Sequence, residues 1–226
     1  ENPFSYNSED QSSPFSAADS KAAAQAWADR CLASNSFGTA INYSSSWYSG
    51  LSNVELLTRA IYCEGGTAYK GEENAVARVI LNRIHSSSFP DGAAAVVKQS
   101  GQFASITGGS GSTEYARKPA TTTERWSHST YLACLLLTTT SKSEWTSLVS
   151  TNITGQLYFY AYTKAKSEYA SGSCPFTGTT SSTLKYGGNL IKDVHVVGYG
   201  NVTSFRTLFD SFSPVDYSRN IYYNYK

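Results

Sequence analysis

The chain has 226 residues, with 18 Lys+Arg against 17 Asp+Glu for a formal net charge of +1, and it is 40% hydrophobic but only 15% charged. That apolar content excludes intrinsic disorder, and the lack of any Lys/Arg run or basic excess excludes a surface built to neutralise nucleic-acid phosphates. No apolar run approaches the roughly 20 residues of a membrane-spanning helix, the longest compact one being Leu132 to Leu137.

Seventeen Tyr and four Trp in a chain this poor in charge suit either a surface that stacks on sugars or an aromatic core. Met is absent and the sequence begins at Glu1, as expected of a processed or recombinantly trimmed protein, and export is expected. Cys31, Cys63, Cys134 and Cys174 show no CxxC spacing, so a zinc cluster is not expected. As disulfides they would allow three pairings that spacing does not separate. Asn42, Asn152 and Asn201 each open a glycosylation sequon, relevant only in a eukaryotic secretory pathway.

Residues 1–15 are polar with two prolines and read as a tail. Ser16 to Ala33 reads as an amphipathic helix with Ala23, Trp27 and Cys31 near four-residue spacing, and Gly38 to Gly50 as a Ser-rich connector. Ser52-Asn53-Val54-Glu55 has the form of a capping box and starts a helix that Gly65-Gly66 ends. A second helix is expected from Gly71 to His85, where Ala75, Val76, Val79, Ile80 and Arg83 repeat at three-and-four spacing. Ala93 to Lys98 is a short helix or a strand, Thr107 to Ser112 a loop, and Glu124 to Thr138 a third long helix. Gln156 to Tyr162 and Asp193 to Tyr199 read as strands. Helices followed by strands give an α+β fold, with residues 1–50 as tail, helix and connector and residues 51–226 as one domain.

Val54, Leu57, Ile61 and Glu64 fall within a sector of about 80° on the first of these long helices, which puts Glu64 at the end of the apolar face. Desolvation there, with the negative end of the helix dipole, would raise its pKa and make it a proton donor suited to glycosidic cleavage. Helical geometry alone also permits Glu64 to turn to solvent at the Gly65-Gly66 break. Cys63 sits near a helix C-terminus, where a thiolate is disfavoured, which argues against a Cys-His peptidase or amidase. His85, His128 and His195 lack HExxH or paired spacing, and no GxSxG elbow occurs. Glu72 and Glu73 fit the favourable dipole at a helix N-terminus better than catalysis.

The segments Leu56 to Gly66, Asn74 to Ile84, Ser88-Phe89-Pro90 and Gly101-Gln102-Phe103, in this order, closely resemble the SleB/CwlJ-type cell-wall hydrolases, the spore-cortex-lytic enzymes and their relatives. Gly155 to Tyr160 and Gly200 to Phe205 resemble later family elements. The chain departs from the family pattern at Thr67-Ala68, where a Gly-Glu pair is usual, and at Val202, where a His is usual. The resemblance implies a lysozyme-like fold, a helix-rich lobe with a small antiparallel sheet, and a catalytic role for Glu64. It implies cleavage of peptidoglycan glycan strands between N-acetylmuramic acid and N-acetylglucosamine by a lytic transglycosylase, without cofactor or metal. Gln102, Phe103, Tyr160 and Tyr62 are expected to contact substrate. The protein is expected to be a secreted monomer of the cell wall or spore cortex. A hydrolytic muramidase, a non-catalytic glycan-binding module and a cell-wall amidase are the alternatives.

Overall fold

The computed structural model describes residues 17–66, 71–139, 141–213 and 219–226. The tail read at residues 1–15 and the Thr67-Ala68 departure lie outside them. The described residues form two compact units, Glu1–Glu64 with Ile80–Ser150 and Gly65–Val79 with Thr151–Lys226. The first contains helices α1 (Ala17–Leu32), α2 (Asn53–Glu64), α4 (Ala93–Lys98), α5 (Ala104–Thr107), α6 (Glu114–Arg117), α7 (Glu124–Thr138) and α8 (Lys142–Leu148). Helix α3 (Glu72–Ile84) belongs to the second unit up to Val79 and to the first from Ile80.

The second unit carries the strands β1 (Tyr158–Ala161), β2 (Phe176–Thr177), β3 (Lys185–Tyr186), β4 (Asn189–Val196), β5 (Gly200–Asn201) and β6 (Asn220–Tyr225), with helices α9 (Tyr162–Ala170) and α10 (Phe205–Ser211). The sheet order is β1-β6-β4-β3-β2 with β5 on β4, every pairing antiparallel. Helices with a small antiparallel sheet make the α+β class observed. No helix among the described residues is long and apolar enough to cross a membrane.

Helix α2 begins where the sequence places it, because the Ser52 hydroxyl accepts from the Glu55 amide at 3.3 Å. The reciprocal half of the capping box does not form. Glu55 Oε1 instead accepts from Arg59 Nη2 at 2.6 Å and from the Gly38 amide at 3.0 Å. Arg59 is fully buried and extends the same network, donating to the carbonyls of Ala116 at 2.6 Å and Thr39 at 2.7 Å. One guanidinium thus ties α2 to α6 and to the loop at Thr39, and its desolvation lowers its pKa.

Helix α1 packs along α7 through a buried stripe of Ser20, Ala24 and Ala28. The expected face of Ala23, Trp27 and Cys31 is half-buried at the flank, so the buried stripe is rotated by one residue. Small side chains let two helices approach closely, and they win over the bulkier Trp27 for the central position.

Strand boundaries differ from the expected ones. The first strand is four residues long, because Gln156 spends its side chain on the Thr154 and Gly155 amides and the Asp193 carbonyl, and Tyr162 already opens α9. Strand β4 starts at Asn189 and ends at Val196, short of Tyr199, because Val197 to Tyr199 turn the chain into β5. Much of the Tyr excess is consumed here: Tyr158, Tyr160, Tyr186 and Tyr223 pack with Phe176 on one sheet face.

Glu72 shows more than a dipole effect. It is buried, and its Oε1 accepts from the Asn220 amide at 2.8 Å and the Tyr222 hydroxyl at 2.7 Å, joining the start of α3 to β6. Burial pushes its pKa from the usual 4.5 up to about 7, against the opposing pull of these two donors. Because the folded-state value is raised, stability from this group is full below pH 4.5 and is lost as pH rises through about 7. Glu72→Gln, which retains the accepting Oε1, is expected to abolish about 3 kcal/mol of stability difference between pH 4.5 and pH 8. Urea unfolding at the two pH values checks this, and an unchanged difference in the variant would refute it.

Candidate active site

Glu64 is the last residue of α2, held there by a helix whose Leu56, Leu57, Ala60 and Ile61 are buried at 2% exposure or less. Gly66, at φ 67°, then turns the chain away in a conformation that suits glycine. The carboxylate does not swing into solvent: its Oε1 accepts from the Ser105 backbone amide at 3.0 Å. Ser105 is placed by α5, whose flanking Phe103 and Ile106 are fully buried and whose Ile106 carbonyl accepts from Trp47 Nε1 at 3.0 Å.

Desolvation is the largest influence on Glu64 and raises its pKa above the usual 4.5. The Ser105 hydroxyl, the Ser105 amide and the Arg83 charge act in the opposite direction without cancelling it. The residue retains some surface exposure while its carboxyl group is desolvated. Of the two Ser105 groups, the amide makes the hydrogen bond; the hydroxyl lies near but lacks hydrogen-bond geometry. The result is a carboxyl group biased towards its protonated form yet provided with a donor and a cation that stabilise the anion once the proton has left. Both states are needed by a group that first gives and then takes a proton.

Arg83 is itself buried, its guanidinium 4.7 Å from the Phe89 ring and 5.2 Å from the Phe103 ring. The aromatic faces hold this cation in place beside Glu64. Sequence reasoning puts Arg83 on the apolar stripe of α3 without giving it a role. An Arg on such a stripe is the signal that it is buried and paired. Ser105 escapes sequence reasoning, because a backbone donor 41 residues from its acceptor leaves no trace in residue type.

Of the expected substrate contacts, Tyr62, Gln102 and Phe103 share the first unit with Glu64, whereas Tyr160 belongs to the second. Tyr62 is 7% exposed; its ring meets Trp126 edge-on at 5.5 Å, its hydroxyl accepts from the Ala120 amide, and its carbonyl accepts from Arg125 at 2.7 Å. Phe103 packs under Arg83 and is fully buried. Gln102 is half-buried in a turn whose Gly101 has φ 75°. Tyr160 is half-buried, donating from its hydroxyl to Glu168 at 3.0 Å, and Phe159 on the opposite strand face packs on Tyr222. Both faces of β1 therefore carry packing contacts.

Cys63 does not offer a nucleophile. Burial, with Glu64 beside it, pushes its thiol up to about 12, so it stays protonated near neutral pH. His195 lies in the second unit, its Nδ1 3.1 Å from Asn201 Oδ1 across the β4–β5 pairing.

Comparison with known proteins gives one assignment. No curated protein and no solved structure matches the chain. The family model for cell wall hydrolases matches residues 66–180, half of the chain, beginning two residues beyond Glu64 and taking in α3, Arg83, Phe103 and Ser105. A match over half of the chain is enough to assign it: the chain belongs to the cell wall hydrolase family.

Proposed function

We propose that this enzyme of the cell wall hydrolase family cleaves peptidoglycan glycan strands between N-acetylmuramic acid and N-acetylglucosamine as a lytic transglycosylase of SleB/CwlJ type. Glu64 is the catalytic acid and base. The observation that carries the reading is the desolvated Glu64 carboxyl with the Ser105 amide on one oxygen. The protonated acid donates to the glycosidic oxygen as the bond to the anomeric carbon breaks, which needs a pKa above that of an ordinary carboxylate. The resulting carboxylate, held by Ser105 and Arg83, then removes the proton from the muramic 6-hydroxyl as that oxygen closes on the anomeric carbon. The product is a 1,6-anhydro sugar, and Glu64 recovers its proton.

The same carboxyl serves both halves, so the chemistry asks for no second acid, and the Arg83 cation acts on Glu64 from nearby. Residues 51–226 form the catalytic region, and Gln102 and Tyr160 are proposed substrate contacts. Phe103 and Tyr62 contribute by positioning Arg83 and the end of α2. The site of action is the extracellular wall, including spore cortex.

Digestion of purified peptidoglycan, with the released sugar ends identified by mass, tests the reading. Anhydro-muramic ends are expected from the wild type. Reducing muramic ends would replace transglycosylation by hydrolysis, and absence of any release would leave only binding.

A further inference from the structure

Strand β4 departs from regular geometry where it borders a cavity of about 830 Å³ contained in the second unit. Its pairing with β6 shifts register between Lys192 and His195, and Asp193 takes φ 53°, a conformation that non-glycine residues seldom adopt. Gln156 holds this kink by donating to the Asp193 carbonyl at 2.8 Å, and Asn224 donates to Asp193 Oδ2 at 3.3 Å. Successive residues of a regular strand face opposite sides of the sheet, but here the irregularity lets Lys192 and Asp193 line the same cavity. Both are exposed, and neither forms an ion pair among the described residues.

The rest of the wall is polar. His195 is 5% exposed and its Nδ1 lies 3.1 Å from Asn201 Oδ1; a carboxamide oxygen only accepts, so Nδ1 carries the proton. The bond fixes the Asn201 carboxamide and leaves its NH2 group to donate. His195 Nε2 is then an acceptor without a hydrogen-bond partner among the described residues, a lack that a donor brought by a ligand would remedy. Thr154 and Thr203 add hydroxyls to the lining, and no Tyr, Trp or Phe among the described residues contributes a ring to it. A pyranose site offers an aromatic face to stack on, whereas this cavity offers two opposite charges and hydrogen-bonding groups.

We propose that this cavity binds the zwitterionic end of a peptidoglycan stem peptide, the amine and carboxylate at the free end of its diamino-dicarboxylic acid, with Asp193 taking the amine and Lys192 the carboxylate. The proposal rests on the reading of peptidoglycan as the substrate and concerns the peptide branches of that polymer, not its glycosidic bond. A cross-link acylates that amine and removes its charge, so the site favours strands that are not cross-linked. Asn201 and the two threonines hydrogen-bond the peptide groups beside it. Because both charges are exposed, binding weakens as salt rises.

Calorimetric titration of the full chain at low salt, with an N-acetylated stem tetrapeptide containing meso-diaminopimelate, tests the proposal. Binding is expected, weakened about tenfold in Lys192→Gln and about tenfold in Asp193→Asn. Both substitutions keep side-chain size and Asn tolerates a positive φ, so the melting temperature should not move. Acetylating the diaminopimelate amine should weaken binding to the wild type by a similar factor and leave Asp193→Asn unaffected, a coupling that a merely structural role would not produce. That change is made on the ligand, so its effect on the wild type keeps the test should a variant fail to fold. No binding at millimolar peptide, wild-type affinity in either folded variant, an acetylated peptide that binds as well as the free one, or displacement by a neutral N-acetylglucosamine tetramer would overturn the proposal. Failure of glycan cleavage would appear in the released sugar ends, which this titration does not read, so the two readings fall separately.

Discussion

Glu64→Gln is expected to lower the turnover of peptidoglycan by about 10³-fold, a loss of about 4 kcal/mol of transition-state stabilisation, while leaving the protein at least as stable as the wild type at pH 8. The amide retains an oxygen to accept from Ser105 but has no proton to give. Stability moves the other way because the folded-state pKa of Glu64 is raised: its contribution is full below the usual 4.5 and is lost as pH rises through the folded value. Removing the charge removes that loss. Wild type and variant should therefore have similar melting temperatures at pH 4, with Glu64→Gln ahead at pH 8. A variant that is inactive because it is unfolded would show the opposite.

The largest stability effect is expected at Arg59. Arg59→Ala strips the buried guanidinium from Glu55 and from the carbonyls of Thr39 and Ala116, leaving a carboxylate 13% exposed at its side chain and two carbonyls without this donor. A buried ion pair contributes little net stability as a pair, but breaking one side of it costs about 3–5 kcal/mol, because the surviving charge stays desolvated. Arg59→Lys should recover only part of this, since a single ammonium cannot serve the Glu55 carboxylate and both carbonyls together. Combining Arg59→Ala with Glu55→Ala should cost less than the sum of the two single changes. Urea unfolding measures all of these, and a loss under about 1 kcal/mol for Arg59→Ala would show that the network is not structural.

The spacing from Val54 puts Glu64 at the end of an apolar face, but the glycine pair that stops the helix leaves it free to turn to solvent, and the family resemblance is what singles it out. Ser52 marks a helix start for an equally local reason, and α2, α3 and α7 run within a residue or two of their expected bounds. What the sequence hides is chosen by partners far along the chain. Glu55 has the right type and spacing to complete a capping box, but Arg59 one turn later and the Gly38 amide compete for the same oxygen and win. Strand β6 is absent from the sequence-based expectations: its run of Asn, Ile and Tyr has no turn signal of its own and is fixed by pairing with β1 and β4. The segment Asn220-Ile221-Tyr222-Tyr223 alternates across the two sheet faces only once those neighbours are in place. The start of helix α9 merges with the expected strand before it for a similar reason, as Tyr162 continues an aromatic run while its amide is already bonded to the Arg219 carbonyl.

The candidate site divides along the same line. The proposed acid, Glu64, is visible in the sequence, and so is the buried Arg on the apolar stripe of α3. The Ser105 amide is visible only in the fold, because it acts through the backbone and its position depends on how Phe103 and Ile106 are buried. Tyr62 and Phe103, singled out by the family resemblance as substrate contacts, have side chains committed to packing, so motif membership alone does not distinguish residues that face a ligand from residues that hold the acid in place.

The pH dependence of kcat/KM on purified peptidoglycan tests the role of Glu64 most directly, since its alkaline limb reports the ionisation of the essential acid in the free enzyme. The expected profile falls on the alkaline side with a midpoint above the usual carboxylate value of 4.5, and the residual activity of Glu64→Gln lacks that limb. A wild-type profile with no alkaline limb, or a limb that persists unchanged in Glu64→Gln, would contradict the assignment of Glu64 as the proton donor.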